Sequence, residues 1–238
     1  MKKITRVLFL FCLLLSQVRG DGVDVPVKVE NSECIPKFLY TLPESAQNQG
    51  HPVGIFSLTQ LPVNKTYQFE VKSSIPECDI FRQVGEWNTK EEGSGYMGMP
   101  LNMCLPGQKF EGWIKAIDDD ERMTFSFIPN PVISKSTKDS ASISATLDSL
   151  KRNRYTLLIE GLEENEEVVL LSQSAHEKIE EKLKLCKTTV SSYFPAVIGI
   201  KGGIAKVSVK RKNGDVLSID LMWGTEFEKY FNKNKKIP

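Results

Sequence analysis

The sequence predicts an all-β protein, two β-sandwich domains in tandem closed by a short C-terminal helix. Three observations carry this expectation. Short runs alternate apolar and polar residues at the strand period of two, an Asn-Gly turn joins two of these runs, and a loose internal repeat divides the chain. At roughly 100–150 residues per domain, the 238 residues allow one large domain or two small ones. With 40% hydrophobic and 26% charged residues, the chain can build a packed core, and wholesale disorder is excluded.

Residues 1–20 have the order of an export signal. Lys2, Lys3 and Arg6 form a basic start, Val7 to Leu15 an apolar stretch broken only by Cys12, and Val18 and Gly20 precede a cut after Gly20. The apolar stretch is too short for a permanent span, and no later run approaches the ~18 residues one requires. The protein is therefore expected to be secreted or periplasmic, starting at Asp21. Removing this segment changes the balance from 31 basic against 30 acidic residues to 27 against 30, which excludes a generally basic nucleic-acid binder.

From Asp21 onward the strands follow in order. Val23 to Val29, Tyr67 to Val71, Thr124 to Ile128, Ala205 to Val209 and Val216 to Leu221 all alternate. Lys206–Arg211 and Leu217–Leu221 are joined by Lys212-Asn213-Gly214-Asp215, and Asn-Gly accepts the positive φ of a tight hairpin turn. Residues 174–187 carry mixed signals. Ser174-Ala175-His176-Glu177 has a capping-box pattern, with Ile179 and Leu183 at helical spacing, but Leu183 and Leu185 alternate, and strand is expected. Thr225-Glu226-Phe227-Glu228 opens a second capping box, and Phe227, Tyr230 and Phe231 share one face of a closing helix.

The repeat sets Phe125–Ile133 on Ser191–Ile198, with Pro129 on Pro195, and Leu61–Val71 on Leu150–Ile159, with Tyr67 on Tyr155. The two offsets differ, which implies an insertion in the first copy between Val71 and Phe125. The expected domains are residues 21–131, with the inserted loop, and residues 132–225, followed by helix and Lys-rich tail over 226–238. A two-copy, strand-rich, exported chain with a Pro-bounded strand near each copy's end resembles the tandem immunoglobulin-like (IPT/TIG-like) sandwiches of bacterial exported proteins. It lacks the Cys-Trp-Cys framework of antibody-type domains. The resemblance implies a spacer, adhesive or binding module, and it brings no catalytic residue.

Cys34, Cys78, Cys104 and Cys186 remain after the signal, an even number that reads as disulfides in an oxidising compartment. Four cysteines allow three pairings. A Cys78–Cys104 bridge that ties down the Gly-rich insertion is expected, with Cys34 the other partner open to Cys78 and Cys186 open to remaining a free thiol. No C-x-x-C pair is present and the only histidines are His51 and His176, so neither a zinc site nor a cofactor is expected. Gly93-Ser94-Gly95-Tyr96-Met97-Gly98 matches a dinucleotide fingerprint in letter only. Polar residues precede it and Pro100 follows, so a flexible loop is expected. Asp118-Asp119-Asp120-Glu121 reads as a solvated hairpin turn and not as a calcium loop.

Nucleophilic catalysis would have to recruit His51 or His176, and no G-x-S-x-G elbow accompanies either. Residues 21–131 hold 9 basic and 16 acidic side chains, whereas residues 132–238 hold 18 and 14. Lys206, Lys210, Arg211 and Lys212 form a candidate basic patch in the second half, able to face an anionic surface. Trp87, Tyr96 and Trp223 are candidate aromatics of a binding face, with core packing the expected role of Trp223. The functional expectation is a non-enzymatic binding or structural module of the cell envelope or exterior. Its partner is a protein or envelope component and not nucleic acid; the alternative is a secreted hydrolase using paired carboxylates.

Overall fold

A computed structural model describes residues 23–25, 28–30, 38–40, 53–58, 61–75, 77, 82–89, 95–100, 104–118 and 122–235. The signal segment, Cys34, Cys78, His51 and residues 119–121 lie outside the described residues. The described residues are mostly antiparallel β, with a short helix at Thr225–Lys235. The first strands are β1 (Val23–Val25), β2 (Lys28–Glu30), β3 (Phe38–Tyr40), β4 (Val53–Leu58) and β5 (Lys65–Ser73). β6 (Arg82–Thr89), β7 (Gly95–Pro100), β8 (Phe110–Ala116) and β9 (Met123–Phe127) complete the first half. The second half holds β10 (Val132–Lys135), β11 (Ser142–Ser149), β12 (Arg154–Glu160) and β13 (Glu166–Ser174). It ends with β14 (Glu177–Leu185), β15 (Thr188–Tyr193), β16 (Gly202–Arg211), β17 (Val216–Gly224) and helix α1 (Thr225–Lys235).

Strand order repeats between the halves. The run β6-β5-β8-β9 in the first half has the order of β14-β13-β16-β17 in the second, and the pair β4-β7 that of β12-β15, each eight strands later. β2 extends the first sheet along β9. Its counterpart β10 pairs with β11, yet its Ser134 Oγ accepts a hydrogen bond from the backbone N–H of Ser218 in β17 at 3.2 Å. The repeat is therefore real at the level of topology, but its register corrects the sequence expectation. Tyr67 lies in β5, whose counterpart is β13, whereas Tyr155 lies in β12. Alternation has a period of two residues, so one strand matches any other by pattern, and only pairing partners tell them apart. The two offsets that implied an insertion in the first copy came from that register. In strand order, β5 and β6 are joined by residues 74–81, where the second copy turns within two residues from Ser174 to Glu177.

Each half buries its own core. Tyr67, Phe69, Val71, Phe110, Ile114 and Phe125 line the inner face of the first sheet. In the second half Ile143, Leu147, Leu157 and Ile159 of one sheet meet Val168, Val207, Val209 and Leu217 of the other, the inner faces of a sandwich. Tyr155 spans that layer, its hydroxyl donating to Met222 O at 2.7 Å, and burial pushes its phenol well above the ordinary tyrosine range.

Two residues of the first half belong to the second core. Ile75 and Leu105 are buried among the side chains of the second sandwich. Gly107 permits the approach, since its φ is +76° and a Cβ there would lie 2.9 Å from Ala145 O. Its N–H donates to Asn130 O at 2.8 Å and its carbonyl accepts from Leu147 N–H at 2.8 Å. The buried Gln108 side chain accepts from Leu105 N–H at 2.9 Å and donates to Ser73 Oγ at 2.8 Å. Helix α1 closes the seam: Phe227 is buried in the second core, and Tyr230 donates its hydroxyl proton to Cys104 O at 3.1 Å. Glu226 and Glu228 in the first turn suit the positive end of the helix.

The ambiguous segment is a hairpin. Glu166–Ser174 and Glu177–Leu185 pair along their whole length, and Ala175, at φ +50°, turns the chain. The β16–β17 hairpin has a longer turn than a two-residue Asn-Gly loop. Gly214 N–H donates to Arg211 O at 3.0 Å and only Gly214, at φ +82°, takes the left-handed conformation.

Candidate binding surfaces

The outer face of the first sheet carries a depression lined by charged and polar side chains around a tryptophan, and a second depression, lined by Glu163, Glu164, Glu166, Glu167, Arg211 and Lys212, lies beside the 212–215 turn. In strands, side chains two apart share a face, so Glu70 and Lys72 of β5 stand beside Trp113 and Glu111 of β8. With Lys109, Thr124 and Ser126 they line a shallow concavity of about 340 Å³. Trp113 Nε1 donates to Glu70 Oε2 at 2.9 Å, Arg82 Nε donates to Glu70 Oε1 at 2.9 Å, and the Arg122 guanidinium lies 4.5 Å from the Trp113 ring centroid. The Trp113 hydrogen bond, with Arg82 adding to it against the cost of burial, holds the Glu70 carboxyl below its ordinary range. Glu111 is paired with Lys109 at 2.8 Å. Both acids of this concavity thus sit as paired carboxylates.

The basic patch divides. Lys206 and Lys210 stand exposed on the outer face of β16, and Lys212 is exposed in the turn. Arg211 points the other way, with only 4% of its side chain exposed. Its Nε donates to Glu166 Oε1 at 2.7 Å, Nη2 to Glu166 Oε2 at 2.9 Å and Nη1 to Asp139 Oδ2 at 2.6 Å, with Asp215 3.8 Å away. The physical reason is strand alternation: Arg211 shares a face with the buried Val207 and Val209, where a guanidinium needs carboxylates around it. The fork geometry of arginine suits the bidentate contact with Glu166. The Arg211 hydrogen bonds hold Glu166 below its ordinary range; Asp139 is lowered first by the Ala141 N–H and then by Arg211. Arg211 is thereby removed from the patch and becomes a clamp between β13, β16 and the loop after β10.

Of the candidate aromatics, Trp87 stacks on Phe69 with centroids 4.3 Å apart and Trp223 is buried, so neither presents a face. Tyr96 lies in β7. Residues 95–100, expected as part of a flexible loop, form that strand: β7 pairs with β4 from Val53↔Pro100 to Leu58↔Gly95, with Pro100 at its end. Trp113, which sequence reasoning did not single out, stands on the outer face of the first sheet; its signal was the alternation Trp113–Lys115 opposite the inward Gly112 and Ile114. Asp118 stands in the turn after β8, 3.4 Å from Lys65, and His176 is exposed in the β13–β14 turn. Among the described cysteines, Cys104 is buried at the seam and Cys186 is exposed beside β14.

A different surface lies between β15 and β16. Phe194, Ile198, Ile200 and Ile204 are all exposed, Ile198 at 97%. The segment is anchored, not loose. Val197 is buried against Ala205 and Trp223, and Ser174 Oγ donates to Pro195 O at 2.6 Å. Ile200 N–H donates to Val197 O at 3.1 Å and Gly199 has φ +82°, which places Ile198 at the tip of a tight turn.

No family model matches this chain, and no curated protein matches it. Among solved structures, one titled "Crystal structure of tetra-tandem repeat in extending region of large adhesion protein" is similar at 12% identity and a TM-score of 0.24. The match covers 85% of this chain, which spans 49% of that structure. A likeness at that score carries no argument about fold or function.

Proposed function

We propose that the chain is an exported, non-enzymatic binding module of the cell envelope or exterior, built from two immunoglobulin-like sandwiches. The strand order β14-β13-β16-β17 facing β11-β12-β15 supports the immunoglobulin-like part of this reading, since it matches the two-sheet Greek-key order of such domains. Its recurrence as β6-β5-β8-β9 and β4-β7 supports a domain pair. The order of residues 1–20 supports export. A Cys78–Cys104 disulfide belongs to the same proposal, and peptide mapping without reductant reads it.

The observation that carries the non-enzymatic part is the state of the acids in the concavity. A carboxylate hydrolase needs one acid held protonated near neutrality beside an ionised one. Glu70 is held in the opposite direction by Trp113 and Arg82, and Glu111 is paired with Lys109. The test is incubation of the exported chain with a panel of polysaccharides, followed by reducing-end analysis. No turnover is expected. Turnover abolished by Glu70→Gln or Glu111→Gln would overturn the reading in favour of the hydrolase.

A further inference from the structure

We propose that the turn at Val197–Ile200 is a membrane-contacting tip, and that the partner of this surface is an anionic lipid bilayer. The inference rests on the binding reading above and names the partner of one of its surfaces. Exposed apolar residues scattered singly are ordinary, but a cluster on one short segment marks an interaction site. Here four large apolar residues, Phe194, Ile198, Ile200 and Ile204, are exposed within eleven residues.

Two features favour a lipid surface. The first is rigidity without a groove. Val197 is held in a small core with Ala205 and Trp223, and the turn presents Ile198 outward from this anchor as a convex tip. A convex apolar tip fits a deformable acyl region, where each buried methylene contributes, and needs no complementary pocket. The second is charge. Residues 194–206, from the tip into the near end of β16, carry Lys201 and Lys206 and no acid. Both are exposed, whereas Lys210, Arg211 and Lys212 lie at the far end of the strand, with Lys210 opposite Val216. Acids elsewhere temper this surface without cancelling it: Asp220 lies opposite Lys206 across the strands, Glu177 closes the β13–β14 turn, and Glu226 is paired with Lys229 in α1. Lys201, directly after the apolar tip, lies where lipid phosphates would meet it.

The experiment uses the full chain from Asp21, mixed with vesicles of phosphatidylcholine alone or phosphatidylcholine with phosphatidylglycerol, and pelleted. Binding to the anionic vesicles is expected, weakened by added salt. Ile198→Asp, at a site too exposed to disturb the fold, is expected to weaken it about tenfold or more. Val216→Asp, an exposed apolar position at the far end of the same sandwich, is expected to bind as the parent does. A parent chain that stays in the supernatant overturns the inference, as does an Ile198→Asp variant that pellets unchanged. Equal binding to neutral vesicles overturns the anionic assignment. None of these outcomes bears on the polysaccharide test, so the two readings fail separately.

Discussion

At the end of the second sandwich that meets the first, Leu105 and Ile75 enter an apolar core beside Gln108, the Gly107 peptide and the Tyr230 hydroxyl, and Ser149 Oγ donates to Glu77 Oε1 at 3.0 Å. At the far end, beside the 212–215 turn, Arg211 is clasped by Glu166 and Asp139 with Asp215 nearby. The first arrangement gains chiefly from apolar groups leaving water. The second depends on the ionisation of carboxylates. Among the described residues the halves meet at the apolar end, so their union should survive conditions that loosen the far end.

The largest expected effect comes from the apolar end. Leu105→Ala removes a fully buried side chain from a core it shares across the halves and should cost about 4 kcal/mol, read by denaturant unfolding. Arg211→Ala comes next, at about 3 kcal/mol near neutral pH, because it leaves Glu166 buried without its cation. This variant also sharpens the contrast through pH. The folded-state values of Glu166 and Asp139 lie below their unfolded ones, so the unfolded chain binds more protons in the acid range. The stabilisation is therefore complete above the ordinary carboxylate values of about 4 and is lost as pH falls through the lowered ones. The gap between parent and Arg211→Ala should narrow in acid, while the gap between parent and Leu105→Ala should persist. The smallest effect is Tyr230→Phe, which removes the hydrogen bond to Cys104 O and should cost about 1 kcal/mol without a pH signature.

The same contrast explains what the sequence disclosed. Local rules sufficed for the β content, for the β16–β17 hairpin around Gly214, and for the helix opened by Thr225 and Glu226, because each depends on neighbours in the chain. Alternation at Leu183 and Leu185 correctly outweighed the capping-box pattern at Ser174, since the hairpin partner Glu166–Ser174 needs a strand beside it. Arg211 was misplaced although the alternation of Ala205, Val207 and Val209 puts it on their face, because the carboxylates that make its burial tolerable come from 45 and 72 residues away. Leu105 and Ile75 gave no sign that their core lay in the other half. The repeat was visible, but its register required knowing which strand pairs with which. Of the candidate surfaces, the lysines at 206 and 210 were legible; the apolar tip at Ile198 was not, because exposure of an apolar residue is a property of the fold around it.

Ile75 and Leu105, buried in the second core, make that core dependent on the first half. Calorimetric unfolding of the chain from Asp21 tests this dependence most directly. Two halves that share a core should melt in one transition, with the van't Hoff enthalpy matching the calorimetric enthalpy of the whole chain, and Leu105→Ala should begin to separate them. Two resolved transitions in the parent chain, with only one of them moved by Leu105→Ala, would contradict the account.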